Sequence, residues 1–287
     1  MFESFSRSWQ FATTSYKVLW NHKHLLILPV LSTLATALVV ISFVAPLWAT
    51  GTLEAWANAE NAQGGARQPM VWVLLFLFYF CMYFVVVFFN SALVSCVMQV
   101  LDGEDPSIGR ALSISAQRAP QIFAWALVAA FVGVILKAIE NAHEKAGYWI
   151  SAILGSAWSV MTYFVVPVLV LDGVGPIEAV KRSASTLKNT WGTALVGGFS
   201  LGLVGLLVML PLYGLGIAVI FLGFKTGSVA VVVASVAVGV MLFALAGIIN
   251  SAASMVFTAL LYSFATGRTV PAGIDQADFA QAFVAKE

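Results

Sequence analysis

Six apolar stretches, each long enough to cross a bilayer, decide most of what this chain can fold into: Leu25–Trp48, Met70–Leu101, Gln121–Ile139, Tyr148–Leu171, Gly192–Phe224 and Val229–Phe264. An α-helix rises about 1.5 Å per residue, so about 20 apolar residues span the hydrocarbon. Backbone amides in lipid must bond within their own structure, which leaves helices or closed barrels. Barrel strands are short and alternate in polarity, whereas these runs are long and apolar on every face. The expected fold class is therefore all-α, a polytopic transmembrane protein forming a single integral membrane domain over 1–287. Several runs exceed the minimum length, which leaves room for tilt. In the fifth, Pro211-Leu-Tyr-Gly-Leu-Gly216 predicts a kink or break, because proline removes a helix hydrogen bond.

Composition agrees. The chain is 61% hydrophobic and 9% charged, against about 45–50% and 25% in soluble domains. This excludes a secreted enzyme, a nucleic-acid binder and a disordered linker. A net charge of +1 predicts no pull on a polyanion, so no nucleic-acid partner is expected. Orientation follows from where Lys and Arg fall. Six spans put both termini on one side. That side collects Arg7, Lys17, Lys23, Arg110, Arg118, Lys181, Arg182, Lys188, Arg268 and Lys286, against Arg67, Lys137, Lys145 and Lys225 on the other. The N- and C-termini are thus expected in the cytoplasm, with the polar loop Ala49–Pro69 outside. The first apolar run is too long for a signal-peptide core and is expected to remain as a span. Cys81 and Cys96 share the second span about 22 Å apart along its axis, too far to pair within it.

Internal similarity is the most informative pattern. The second span ends Leu101-Asp102-Gly103-Glu104-Asp105-Pro106, the fourth ends Leu171-Asp172-Gly173-Val174-Gly175-Pro176, and the sixth ends with a looser Thr266-Gly267-Arg268-Thr269-Val270-Pro271. Glycine stops a helix and proline starts one, so each copy closes a span and opens a new segment. After Pro176 come Ile177, Val180, Ala184, Leu187 and Trp191, the stripe of an amphipathic helix. Ile108, Leu112, Ser115, Ala119 and Ile122 form a weaker stripe, and Phe2, Phe5, Trp9, Ala12, Tyr16 and Leu19 another. The chain reads as three pseudo-repeats, 1–101, 102–171 and 172–267, each an amphipathic helix followed by a hairpin of two spans, with a cytoplasmic tail at 268–287. Such faces either lie in the lipid interface or pack together as a collar. Phe2, Phe5, Trp9, Ile177, Val180, Leu187 and Trp191 are the candidate interfacial or partner face. In the tail, Asp275 is placed to cap a short helix bearing Phe279 and Phe283.

Chemistry is sparse. No ionisable side chain lies well inside a span, Lys137 and Glu140 sitting at the end of the third. Ion-coupled carriers need such groups, so coupled transport is disfavoured, whereas a passive pore is not. The triplet Asn90-Ser91-Ala92 recurs as Asn250-Ser251-Ala252 in the sixth span. Asn90, Ser91, Asn250 and Ser251 are read either as interhelical hydrogen-bonding groups or as the lining of a polar path. Gly198-Phe-Ser200-Leu-Gly202 has the form of a hydrolase elbow but lies in an apolar span. Gly198, Gly202 and Gly205 are better read as a close-packing helix face. Asp102, Glu104 and Asp105 read as a solvated turn, and His22-Lys23-His24 as an anchor at a span entrance. No catalytic residues, cofactor or metal site are expected.

Phe89-Asn90-Ser91-Ala92-Leu93 and the Asp-Gly-x-x-Pro turns leading into amphipathic helices resemble a family of six-span bacterial integral membrane proteins without an assigned activity. They are also distantly similar to the membrane domain attached to some glycerophosphodiester phosphodiesterases. The resemblance implies a bacterial inner-membrane location and an α-helical fold, and brings no catalytic residues. The functional expectation is a non-enzymatic protein that contacts membrane lipids, or assembles with itself or a membrane partner, through its amphipathic helices. The alternative is a passive channel or permease, oligomeric in one form, with a polar path near Asn90 and Asn250.

Overall fold

The structure, a computed structural model, describes residues 13–52, 54–55, 69–142 and 146–268, and no side chain at 189–201 or 203. Among the described residues it is helical, without strands. Residues 13–21 form α1, and a 3-10 turn, Lys23–Leu26, leads into α2 (Ile27–Ala49). Then come α3 (Pro69–Leu101), α4 (Ile108–Gln117), α5 (Ala119–Ala142), α6 (Ala146–Met161), α7 (Val165–Leu171), α8 (Pro176–Lys225) and α9 (Val229–Ala265). Six helical stretches are long and apolar enough to cross a membrane. Each falls on one of the six runs expected from sequence.

The fourth span differs from expectation, and proline accounts for it. Pro167 has no N–H to offer Tyr163, and its ring crowds that carbonyl, so the fourth span divides into α6 and α7. The Phe164 N–H released at the break donates to Ser183 Oγ at 2.9 Å, with both residues buried. Of the kink or break expected at Pro211, the break is absent: helix is continuous from Pro176 to Lys225. Lipid offers no competing water to the remaining backbone bonds, so one missing bond does not end the helix.

The chain divides into two compact units. One comprises Met1–Val30, Cys96–Pro106 and Lys188–Glu287. Its core is Leu25, Leu28, Val97 and Leu101 with the buried C-terminal part of α9, where Val256, Phe257, Leu260 and Tyr262 are closed off. Along α8, Gly205, Gly216 and Gly223 are 11 and 7 residues apart, near whole numbers of turns, and so share one face. Each meets α9: Gly223 is against Ser235, Gly216 against the Phe243 ring and Gly205 against Asn250, while Gly239 of α9 in turn meets Ile220. Of the packing face expected at Gly198, Gly202 and Gly205, Gly205 makes a close approach and Gly202 meets no described atom within 4 Å, while Gly198 lies outside the residues whose surroundings are described.

The other unit comprises Leu31–Ser95 and Ser107–Leu187. Here α5 and α6 are drawn together by Gly147, whose Cα lies against the carbonyls of Ile139 and Glu140, and by the Ser151 hydroxyl donating to Leu136 O at 3.0 Å. Trp125 and Trp158 stack with centroids 5.7 Å apart. Leu31, Leu34, Leu38 and Ile41 recur at helical spacing on the exposed face of α2, as a lipid-facing stripe does.

The turns at Gly103, Gly173 and Gly267 share one backbone feature, a φ of +76°, +66° and +66°, which a side chain would strain. At the first and third the amide after the glycine bonds five residues back, Glu104 to Gln99 at 2.9 Å and Arg268 to Ser263 at 2.9 Å. The second is held by side chains. Arg118 Nε donates to Val170 O at 3.1 Å with its guanidinium against Gly173, Gln121 Nε2 donates to Gly173 O at 3.4 Å, and Arg182 bonds Asp172 at 3.0 Å.

Candidate functional site

Within the first unit, α1 and the 3-10 turn after it lie beside the middle of α8 and Ile249 of α9, leaving a cleft of about 620 Å³ between them. Its floor is apolar: Leu19, Leu26, Val208, Met209, Leu212 and Ile249. Its rim carries Tyr16, Lys17, Trp20, Asn21 and Lys23, with no carboxylate among the described lining residues.

The two sets of residues differ in depth for a reason visible in sequence. Val208, Met209 and Leu212 belong to the fifth span and Ile249 to the sixth, whereas Lys17 and Trp20 precede the first and Lys23 opens it. A 3-10 turn between α1 and α2 keeps the rim residues at the span entrance. Leu25 and Leu28 are fully buried there and anchor it. His24 Nε2 donates to Pro106 O at 3.1 Å, tying the turn to the segment that follows α3. Trp20 is 75% exposed, and Lys23 Nζ stands 5.0 Å from the centre of its ring. A cation over an indole at a membrane boundary is a favourable pair in both water and headgroup surroundings.

At one wall of the cleft the Tyr16 hydroxyl donates to Asn250 Oδ1 at 2.9 Å. Burial, with Tyr213 nearby, pushes the Tyr16 phenol up to about 12, so it is protonated and a donor at neutral pH. The contact depends on Gly205, because a Cβ there would strike the Asn250 amide oxygen and lie 2.7 Å from the Tyr16 hydroxyl. Sequence reading found Asn250 as an amide needing a partner in hydrocarbon. It did not find Tyr16 as that partner, because the two are 234 positions apart.

The other expected site residues are scattered. Asn90 is partly buried, and Ser91 is fully buried with its hydroxyl unpartnered. Ser251 is exposed on α9. Asn90 and Ser91 belong to one unit and Asn250 and Ser251 to the other. The stripe after Pro176 splits: Ile177 is 70% exposed, Val180 is half-buried and Leu187 is 6% exposed. The covered face of this helix follows Ala179, Ser183 and Leu187, so it is rotated from the expected one because the Phe164 amide recruits Ser183 inward. Phe2, Phe5 and Trp9, like most of the tail at 268–287, lie outside the described residues, and the Trp191 side chain is not described. Neither Cys81 nor Cys96 is in a disulfide. Among the described residues no three His, Cys, Asp or Glu side chains are grouped to hold a metal ion.

Long apolar helices, glycine-seamed packing and an apolar cleft with a cationic rim define a polytopic α-helical membrane protein. The chain belongs to the family of unknown function DUF6159, whose model matches residues 70–271. Val208, Met209, Leu212 and Ile249 fall inside the matched region, and the lysine-bearing rim precedes it. The match gives no support to a likeness with phosphodiesterase-linked membrane domains. Among curated proteins, no relative matches the chain.

Proposed function

We propose that this chain is a non-enzymatic, lipid-contacting protein of a bacterial inner membrane that seats a membrane amphiphile in the cleft between α1, α8 and α9. The observation that carries the reading is the cleft itself. Its 620 Å³ lies within the range of about 300–1,000 Å³ typical of small-ligand sites. Apart from Leu19, its apolar floor is built from residues of the apolar spans, while its rim carries Lys, Trp and Tyr at a span entrance. An amphiphile has the same division, with tail below and head above. In this reading the Lys- and Arg-rich side and both termini face the cytoplasm, and the three repeat units are hairpins preceded by amphipathic helices. Exposed residues such as Ile177 remain available to the interface or to a second copy.

The channel alternative draws no support from Asn250, whose amide oxygen accepts from Tyr16. Two measurements separate the readings. Delipidated protein in detergent gains thermal stability when bilayer lipid is returned, and Met209→Trp, which fills the floor, removes most of that gain. No gain from any lipid refutes the cleft reading. Liposomes containing the protein stay sealed to ions and small solutes. A flux that Asn90→Leu alters establishes the channel instead.

A further inference from the structure

We infer that the cleft is a site for an anionic phospholipid, with Lys17 and Lys23 holding the phosphate-bearing headgroup and the floor around Met209 receiving the upper part of an acyl chain. The inference rests on the amphiphile reading of the same cleft and adds the charge of the head.

The argument begins with the imbalance of charge. Two lysines stand on the rim and, among the described residues, no acidic side chain lines the cleft, so a head seated there meets the positive charge of the pair. Both lysines are exposed, and they flank Trp20 from three positions on either side in sequence, which on a helix and the turn continuing it are neighbouring positions. Lys23 is further held over the Trp20 ring at 5.0 Å, which restricts the flexible side chain before any ligand arrives. Lysine is a point charge with three donors, suited to a phosphate without demanding a single geometry. The Tyr16 hydroxyl spends its proton on Asn250 Oδ1, so the lysines supply the charged donors at the mouth.

Below the rim the surroundings change. Leu19 and Met209 are each 3% exposed, and Val208 and Leu212 belong to a membrane span. A free phosphate or a water-soluble phosphate ester gains nothing from that floor, whereas a lipid fills both halves. The occupant is therefore a bilayer component, and its head is the part that distinguishes one lipid from another. Each lysine near a membrane surface contributes about a fivefold preference for an anionic lipid, so the pair together favours it roughly 25-fold at low salt. The preference falls as salt rises.

Native mass spectrometry of the full chain released from detergent tests this. Phosphatidylglycerol and phosphatidylcholine of identical chains are titrated in parallel. The expected result is tighter retention of phosphatidylglycerol, reduced about fivefold by Lys17→Gln, about fivefold by Lys23→Gln, and to the phosphatidylcholine level by both together. Met209→Trp abolishes retention of both lipids, and Leu212→Phe serves if that variant does not fold. Soluble glycerol phosphate does not displace the lipid.

Equal retention of the two lipids, each lost with the floor variant, overturns the headgroup assignment and leaves the amphiphile reading standing. Retention of neither lipid overturns both. Displacement by glycerol phosphate at matched concentration overturns the lipid in favour of a free phosphate. A dimer that Met209→Trp dissociates, with no lipid preference in the wild-type chain, means a second copy occupies the cleft and overturns it as well.

Discussion

Replacing Gly205 with alanine sets two opposite effects of one methyl group against each other. In a helix interior, alanine is favoured over glycine by about 0.8–1.0 kcal/mol. At Gly205 that gain meets a steric conflict, since the new Cβ would overlap Asn250 Oδ1 and stand 2.7 Å from the Tyr16 hydroxyl. The side chains have to separate, giving up an interhelical hydrogen bond of about 0.6 kcal/mol on average and about 1.7 at most. Displacing packed neighbours adds about 1–3 kcal/mol. The balance is a loss of about 0.6–3.9 kcal/mol, combining the same propensity, hydrogen-bond and packing terms. Gly202, three residues earlier on the same helix, supplies the control, because no described atom lies within 4 Å of a Cβ there. Gly202→Ala keeps only the propensity term and is neutral or stabilising by up to about 1 kcal/mol. Reversible unfolding in mixed micelles measures both variants on one scale. A third variant, Tyr16→Phe, completes the cycle: in its background the cost of Gly205→Ala falls by about 1 kcal/mol, because part of the lost bond is already absent. If Gly205→Ala is as stable as Gly202→Ala, or if its cost is unchanged in the Tyr16→Phe background, the close approach of α1, α8 and α9 is wrong.

Three further outcomes follow from the same structure. Gly173→Ala lowers stability by more than Gly103→Ala: both strain a positive-φ backbone at about 1–2 kcal/mol, but only Gly173 has the Arg118 guanidinium against it, while Gly103 faces open space. Paired thermal melts in detergent rank the two. Ser183→Ala leaves the buried Phe164 amide without its acceptor and costs about 1–3 kcal/mol, read as a lower unfolding midpoint and as faster amide exchange between α6 and α7. Arg182→Gln, by contrast, removes two ion pairs at an exposed guanidinium, to Glu178 at 2.9 Å and Asp172 at 3.0 Å. Solvent screens such pairs, so its unfolding midpoint stays close to that of the wild type, and a large drop refutes that assignment.

The spans show how far hydropathy reaches. Expected ends such as Met70–Leu101 and Val229–Phe264 agree within a residue or so with Pro69–Leu101 and Val229–Ala265, because in lipid a helix must satisfy its own amides and its length is set by the bilayer. The same logic located Gly103, Gly173 and Gly267, since a helix end that turns sharply needs a residue tolerating positive φ. Proline was less legible. Pro167 and Pro211 are alike in sequence, yet only the first divides its span, where the Phe164 N–H donates to Ser183 Oγ. The candidate site was the least legible part. Asn250 announced itself as an amide in hydrocarbon, but Tyr16, Gly205 and the cleft rim did not. Their meaning lies in contacts between segments distant in the chain.

Sequence alone therefore determined that this chain carries six apolar helices of membrane-spanning length, and the glycines at which its helices turn. Each of these is a local property: a run of side chains and its own backbone settle it. Tertiary structure decided which polar groups meet, which proline breaks a helix, and where an apolar floor acquires a rim of lysines. Those outcomes depend on which distant helix supplies the missing partner or the opposing wall, and hydrophobic periodicity does not encode that choice.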